Sequence, residues 1–498
     1  DAAATNLVAS WLQTTGYAGT VTVATVYYGK GTFTNFTIAG DCTISNGVWT
    51  HRDNSTTESN KLDLAVNGDL TVDSNGVIRA DGLGYDTGYG PGAPQGGAAH
   101  GGSYGGIGGW HIGTPSSSLG GTYGSVITPT NIGSGGGNNG GVSGGGAIRV
   151  AVAGALALNG TISANGAGAT RTGSGGSVYI RASTIGGGGI IRANGGPGAE
   201  AGGAGGRVAV ALSGGDFSAF TGTMTAYGAY GGGNYYPGAA GTVYRQAPPQ
   251  ANGRGTLTVD NSNSVPAAEV VTRMSPAVNL NDFASILVTN KGNIGVAADT
   301  TLDFGTNNIV GAGAGKAYVT IFSPAGVTFP NSYTISNYTL VANAPLSVTG
   351  NWTIASNGCL SHGDNRWAET YKLDLAVDGN VTIASNGSIN ADGLGYDGGY
   401  GPGVPAPSAH GGCYGGVGGI HSATPAALGN TYGSIVAPTN SGSGGGNNGG
   451  NSGGGAVRLN VTGALTLGRA PWPAARPPGA PMTPPRSAPS RALSASLP

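Results

Sequence analysis

The sequence predicts an all-β chain: a parallel β-helix (β-solenoid) with coils of about 30 residues, long glycine-rich loops and a short N-terminal capping helix. Three observations carry this expectation. First, Leu62, Leu64, Val66, Leu70, Val72, Ile78 and Ala80 all occupy even positions, with most polar groups between them. That is the period of a strand with one buried face. Second, the apolar rows of "AIRVAV", "SVYIRA" and "RVAVAL" begin at Ile148, Val178 and Val208, 30 residues apart each time, and "TVYR" follows at Val243. Strands at constant spacing, punctuated by glycine bends, fit stacked coils better than hairpins. Roughly a dozen coils would span on the order of 60 Å.

Third, the chain repeats itself. "KLDLAVNGDLTVDSNGVIRADGLGYDTGYGPG" from Lys61 returns as "KLDLAVDGNVTIASNGSINADGLGYDGGYGPG" from Lys372, and "GSGGGNNGG" occurs at 133–141 and again at 442–450. Single-residue deletions shift the match from Lys61/Lys372 to His100/His410 and then to Tyr123/Tyr432.

The elements follow in order. Residues 1–18 read as the cap, with Asp1 as a helix N-cap and Leu7, Val8, Trp11 and Leu12 on one side of a short helix. Residues 19–247 form the first unit, carrying a glycine-rich arm at 82–146. Residues 248–340 keep alternating stretches such as "SILVTN" and "YTISNYTLVAN" and read as connecting coils. Residues 341–467 form a partial second unit with its own arm at 393–455. The stretch 468–498 holds 9 of the chain's 27 prolines and cannot serve a strand ladder. It reads as a Pro/Ala/Arg-rich disordered tail, a partner arm, or a frame-shifted sequence.

The arms repeat their tyrosines, with Tyr85, Tyr89, Tyr104 and Tyr123 matching Tyr396, Tyr400, Tyr414 and Tyr432. The plainer reading has these rings fold the arm back onto the rod. The sharper one makes them a sugar-stacking or partner surface. Polyglycine-type packing is a further option that the uneven glycine spacing argues against.

Composition excludes several functions. The 498 residues include 101 glycines, far above the usual share of about 7%, without a collagen register. Charged residues make up 9% and the net charge is −1, with no basic stripe or acidic block. Nucleic acid and anionic membranes are therefore poor partners. No apolar run approaches the ~20 residues of a membrane span, and "DAAATNLVASWLQ" has neither the basic nor the apolar region of a secretion signal, which would have been removed if it existed. Cys42, Cys359 and Cys413 stand opposite Thr353, Val48 and Ser103 in the duplication, so no thiol is required by the repeat.

The candidate chemistry recurs with the scaffold. "HRDN" and "HGDN" pair His51, Asp53 and Asn54 with His362, Asp364 and Asn365, and His100 and His111 pair with His410 and His421. Such a cluster suits a metal or acid–base work, but Asp and Asn also make turns. Asp81 and Asp86, with Asp392 and Asp397, could hold calcium, although the Gly-Gly-x-Gly-x-Asp nonapeptide is absent. For a polysaccharide-cleaving site the best candidates are Lys61 and Asp63, mirrored by Lys372 and Asp374. Their duplication in the most regular strand favours a structural role. The expectation is no catalytic, cofactor-binding or metal residue, no enzyme and no cofactor.

"GSGGSVYIRASTIGGGGIIRANGGPG", "GGAGGRVAVAL" and "KLDLAV…ADGLGY" followed by "SGGGAIRV" resemble the glycine-rich β-helix repeats of very large secreted bacterial surface proteins. The resemblance covers nearly all of 40–247 and 351–467 and has no catalytic motif to transfer. It implies a secreted, extracellular or cell-surface structural protein of a fibre, sheath or surface layer. Partners would be further copies stacked head to tail and cell-surface glycans. The alternative is a carbohydrate-binding or polysaccharide-cleaving protein, adhesin-like or lyase-like. Ice binding would need Thr-x-Thr ranks beyond the isolated "TVTVATV" near Thr20. Asn54 and Asn337 stand in glycosylation sequons.

Overall fold

In a computed structural model the alternating segments are strands. The structure describes residues 7–8, 10–22, 36–111, 114–137, 141–232, 235–274, 280–296, 308–312, 317–322, 326–405, 409–421, 428–446 and 450–468. The chain divides into two compact units, one of residues up to Gly295 with Asn308–Ala317, the other mainly of residues from Tyr318 onward.

In the first unit the strand Leu62–Val66 pairs in parallel with Ala147–Val152, which pairs with Ser177–Ala182, and that strand with Arg207–Leu212. The register aligns Leu64, Val150, Ile180 and Val210 in one row. A second parallel sheet carries Leu70–Arg79, Thr161–Ser163, Ile190–Arg192 and Thr223–Thr225. Alternate residues of both sheets meet in one core, where Val150, Val152, Leu156, Ile162, Val178, Ile180, Val208 and Val210 are all buried. Each such side chain contributes about 1.5–3 kcal/mol on leaving water.

The second unit repeats this locally. Leu373–Val377 pairs in parallel with Leu346–Val348 on one side and Val457–Val461 on the other. Val381–Ile383 lies between Trp352–Ile354 and Leu465–Leu467.

The expected single β-helix is not what these strands build. They are shared among several parallel sheets, none of them closed, and helix is confined to short 3-10 turns among the described residues. Thr242–Gln246 pairs antiparallel with Thr256–Asp260, which interrupts the parallel order. Beyond it the partners Leu257, Ile286 and Ile309 are spaced unevenly, so a 30-residue period does not continue. Alternation and spacing dictate which residues pair and which face inward; they do not dictate how sheets join.

The N-terminal capping helix is also corrected. Leu7–Val8 and Trp11–Gln13 are short strands, paired in parallel with Phe36–Ile38 and Cys42–Thr50. A helix would have placed Trp11 and Leu12 together. Instead Trp11 packs edge-on against Trp49 at 5.1 Å and Phe36 at 6.3 Å, Gln13 Oε1 accepts from the Trp49 indole at 2.8 Å, and Leu12 is 71% exposed. Burial of two aromatic faces outweighs weak helix propensity in so short a segment. Asp1, the expected N-cap, and residues 469–498 lie outside the described residues.

The arms are neither strands nor loose loops. Extended segments around Gly84, Gly133, Gly145 and Ser174 hydrogen-bond to one another in several directions: Gly84 N–H to Gly144 O, Gly133 N–H to Gly145 O, Gly145 N–H to Ser174 O, and Ser174 N–H to Ser134 O, all 2.7–3.0 Å. This is direct glycine-backbone packing, which the uneven spacing argued against. The segments in contact come from distant parts of the chain, so no even spacing within one segment is needed. At Gly105, Gly106, Gly109 and Gly145 an added methyl would overlap a neighbouring carbonyl oxygen, so the absence of a Cβ is what admits the lattice. Among the described residues no helix is long and apolar enough to cross a membrane.

Candidate functional site

The repeated His, Asn, Lys and Asp residues are drawn together where each arm leaves its sheet. Asn54 is buried and uses its whole amide. Its Nδ2 donates to Asn60 O at 3.0 Å and Leu83 O at 2.7 Å, while Oδ1 accepts from Ser59 N–H at 2.8 Å and Asn60 N–H at 2.7 Å. Asn365 repeats this with Tyr371, Leu394 and Thr370. The amide closes a loop and ties it to the arm, leaving nothing for a ligand or a glycan.

His51 is buried, with Nδ1 2.6 Å from the Arg52 carbonyl. That contact requires a proton on Nδ1, so Nε2 is the acceptor, and it takes the Ala147 N–H at 3.3 Å. Burial pushes its pKa down to about 4, the Arg52 carbonyl opposes the shift, and Lys61 adds to it. His362 holds the same place, with Nδ1 2.7 Å from Gly363 O and its pKa lowered by burial. Both are neutral packing groups at ordinary pH. Asp53 stays exposed, its carboxyl raised by partial burial and by Asp86.

Lys61 and Asp63 are brought near each other but are given different partners. Lys61 pairs with Glu58, and Lys372 with Glu369 at 3.0 Å. Asp63 faces Arg149 at 3.0 Å and Asp374 faces Arg458 at 2.8 Å, each across one parallel register position. Burial raises the Asp63 carboxyl while Arg149 pulls it down. For Glu369 burial acts upward too, yet the Ser441 N–H and Lys372 hold it below the usual range.

The calcium candidates are dispersed. Asp81 accepts from Ser163 Oγ at 3.0 Å and Asn165 N–H at 2.7 Å, Asp86 from Ser143 Oγ at 2.8 Å, and Asp397 from Ser452 Oγ at 2.8 Å. The Asp392 N–H donates to Asn390 Oδ1 at 2.7 Å. Asp364 pairs with Arg366 at 3.5 Å. His100 receives the His111 N–H at 3.1 Å and His410 that of His421 at 2.8 Å. The three thiols are free, and burial pushes Cys42 up to about 12. Cys413 Sγ takes the Gly418 N–H at 3.1 Å, where Ser103 Oγ takes that of Gly108 at 2.8 Å.

The tyrosines fold the arms inward. Tyr123 donates to Ile132 O at 2.7 Å and meets Ser134 Oγ at 2.8 Å; Tyr432 meets Ser441 O and Ser443 Oγ at 2.6 and 2.9 Å. Tyr104 packs on Tyr123 at 4.6 Å and Tyr414 on Tyr432 at 4.9 Å. Only Tyr89 and Tyr400 among these eight are exposed rings.

Sequence reasoning missed Arg207. It is fully buried, donates from Nε to Tyr123 O at 3.0 Å and from Nη1 to Thr242 Oγ1 at 3.2 Å, and lies 5.5 Å from the Tyr104 ring centre. Nothing in "GGRVAVAL" marks this arginine as internal. The Glu58 and Glu369 pairing was missed as well, though their recurrence three residues before each lysine was a visible signal.

No family model, curated protein or solved structure matches the chain.

Proposed function

We propose that the chain is a structural repeat protein, secreted and contributing to an extracellular fibre, sheath or surface layer, with further copies as its partners. One observation carries this reading: the recurring His, Asn, Lys and Asp side chains are spent on loops, cross-strand ion pairs and arm anchoring, in both copies. Its resemblance to glycine-rich repeats of large secreted bacterial surface proteins supports the same role. The test joins electron microscopy of concentrated protein to turnover assays on neutral and acidic polysaccharides. Extended assemblies without sugar release are expected. Release that disappears in a Lys61→Ala, Lys372→Ala double variant, or only single short particles at high concentration, contradicts it.

A second reading, carbohydrate binding, rests on a groove of about 630 Å³ in the first unit. Tyr179, Arg181, Asn67, Gln246 and Asn252 line it, a ring and polar groups suited to a saccharide. Saturable glycan binding lost in Tyr179→Ala would favour it over the structural role.

A further inference from the structure

The two arms have nearly the same sequence but not the same surroundings. In the first, Ile107, Trp110 and Val126 are 3%, 5% and 1% exposed. Their counterparts Val417, Ile420 and Ile435 are 61%, 62% and 99% exposed, and Val436 beside them is 94% exposed.

The backbone tells the same story. Gly105 and Gly106 donate to Gly205 O at 3.0 and 3.1 Å, Gly109 to Gly202 O at 2.8 Å, and Gly145 to Ser174 O at 2.8 Å. Their counterparts Gly415, Gly416, Gly419 and Gly454 make no such bond among the described residues, and a methyl on any of them would meet nothing within 4 Å.

Two side chains sharpen the comparison. Tyr104 Oη lies 2.7 Å from Ser177 Oγ, whereas Tyr414 Oη is buried without a hydrogen-bond partner. A cleft of about 650 Å³ opens beside it, lined by Ile383, Ile389, Tyr414, Gly454, Val457 and Leu467. Leu467 is 56% exposed there, while its counterpart Leu158 is fully buried. What covers this surface in the first copy is the extended stretch 173–182, "GSGGSVYIRA", and the glycine-rich segments behind it.

We infer that the open face of the arm at 393–455 is a docking surface for a glycine-rich strand supplied from outside residues 1–498, patterned Gly-Ser-Gly-Gly-Ser and continuing as an alternating apolar strand. The glycines admit carbonyl-to-glycine contact, the second serine satisfies Tyr414 Oη, and the apolar strand pairs with the edge strand Val457–Val461. A second copy of this chain is a poor donor, because its own Ser177–Ala182 is already paired on both edges. Residues 469–498 are poor donors too, since Gly479 is their single glycine. The inference stands on the duplication and not on the proposed structural role.

The experiment uses the full chain and a labelled synthetic peptide of residues 173–206, which carries the acceptors Ser174 and Gly205. Saturable binding is expected, with amide exchange at Gly415, Gly416 and Gly454 slowed about tenfold or more. A peptide carrying Gly175→Val and Gly176→Val should not bind. The chain variant Gly454→Ala should melt like the parent yet fail to bind. Absence of saturable binding overturns the inference, as does binding that survives Gly454→Ala. So does finding those amides already protected in the free chain and released by removing residues 469–498 or by dilution, which would make the tail or a second copy the occupant.

Discussion

Asp63 and Arg149 face each other across adjacent parallel strands at 3.0 Å, and Asp374 and Arg458 repeat the pairing in the second unit at 2.8 Å. The pairs differ in surroundings. The Asp63 side chain is 6% exposed and its Oδ1 has no hydrogen-bond partner, whereas Asp374 is 32% and Arg458 61% exposed. Arg149→Ala would strand a buried carboxylate and should cost about 3 kcal/mol. Arg458→Ala should cost less than about 1 kcal/mol. Denaturant midpoints of the two variants check the difference.

His51 sets an acid limit. Its pKa is about 4 in the fold against an ordinary value of 6.5, so the unfolded chain binds the proton more readily. Its contribution is whole above pH 6.5 and is lost as pH falls toward 4, by about 3 kcal/mol in all. Raised carboxyls at Asp53 and Asp63 act in the opposite sense, because the fold favours their protonated forms. His51→Asn should therefore be less stable at neutral pH but lose less on acidification between those limits, as read from unfolding midpoints across pH.

Asn54→Ala removes four hydrogen bonds and leaves two half-buried amide N–H groups, of Ser59 and Asn60, without acceptors. A loss of about 3 kcal/mol is expected. Hydrogen exchange should quicken first at Ser59 and Asn60 and spread to Leu83.

The tyrosine pair gives opposite signs. Tyr104→Phe breaks the bond to Ser177 and should destabilise by about 1 kcal/mol, whereas Tyr414→Phe removes a buried hydroxyl without a partner and should be neutral or stabilising. Thermal melts of the two variants decide it.

The sequence made some of this legible and not the rest, for identifiable reasons. Leu64, Val150, Ile180 and Val210 could be placed on one buried row because strand period and spacing both act on neighbouring residues. The sheet boundaries could not, because they depend on how the chain turns between strands, as in the reversal between Gln246 and Thr256. Leu7, Val8, Trp11 and Leu12 suit either period, and only the positions of Trp49 and Phe36 decide for a strand. Asn54 was legible as a turn residue, but Arg207 was not legible as buried, since its acceptors are Tyr123 O and Thr242 Oγ1 far along the chain. The arms were recognisable as folded by their tyrosines. That their glycines serve backbone contact between distant segments could not be read from either segment alone.

Glycine at these positions is required by what lies opposite, not by the local chain, and one pair of variants isolates that. Gly145 and Gly454 occupy the same place in the two copies, but a methyl on Gly145 would overlap the Ala164 carbonyl oxygen and one on Gly454 would meet nothing within 4 Å. Thermal and denaturant unfolding of Gly145→Ala and Gly454→Ala should show a loss of about 2 kcal/mol or more for the first and a change within about 0.5 kcal/mol for the second. Equal losses in both, or no loss at Gly145→Ala, would contradict close glycine-backbone packing as the basis of the arms.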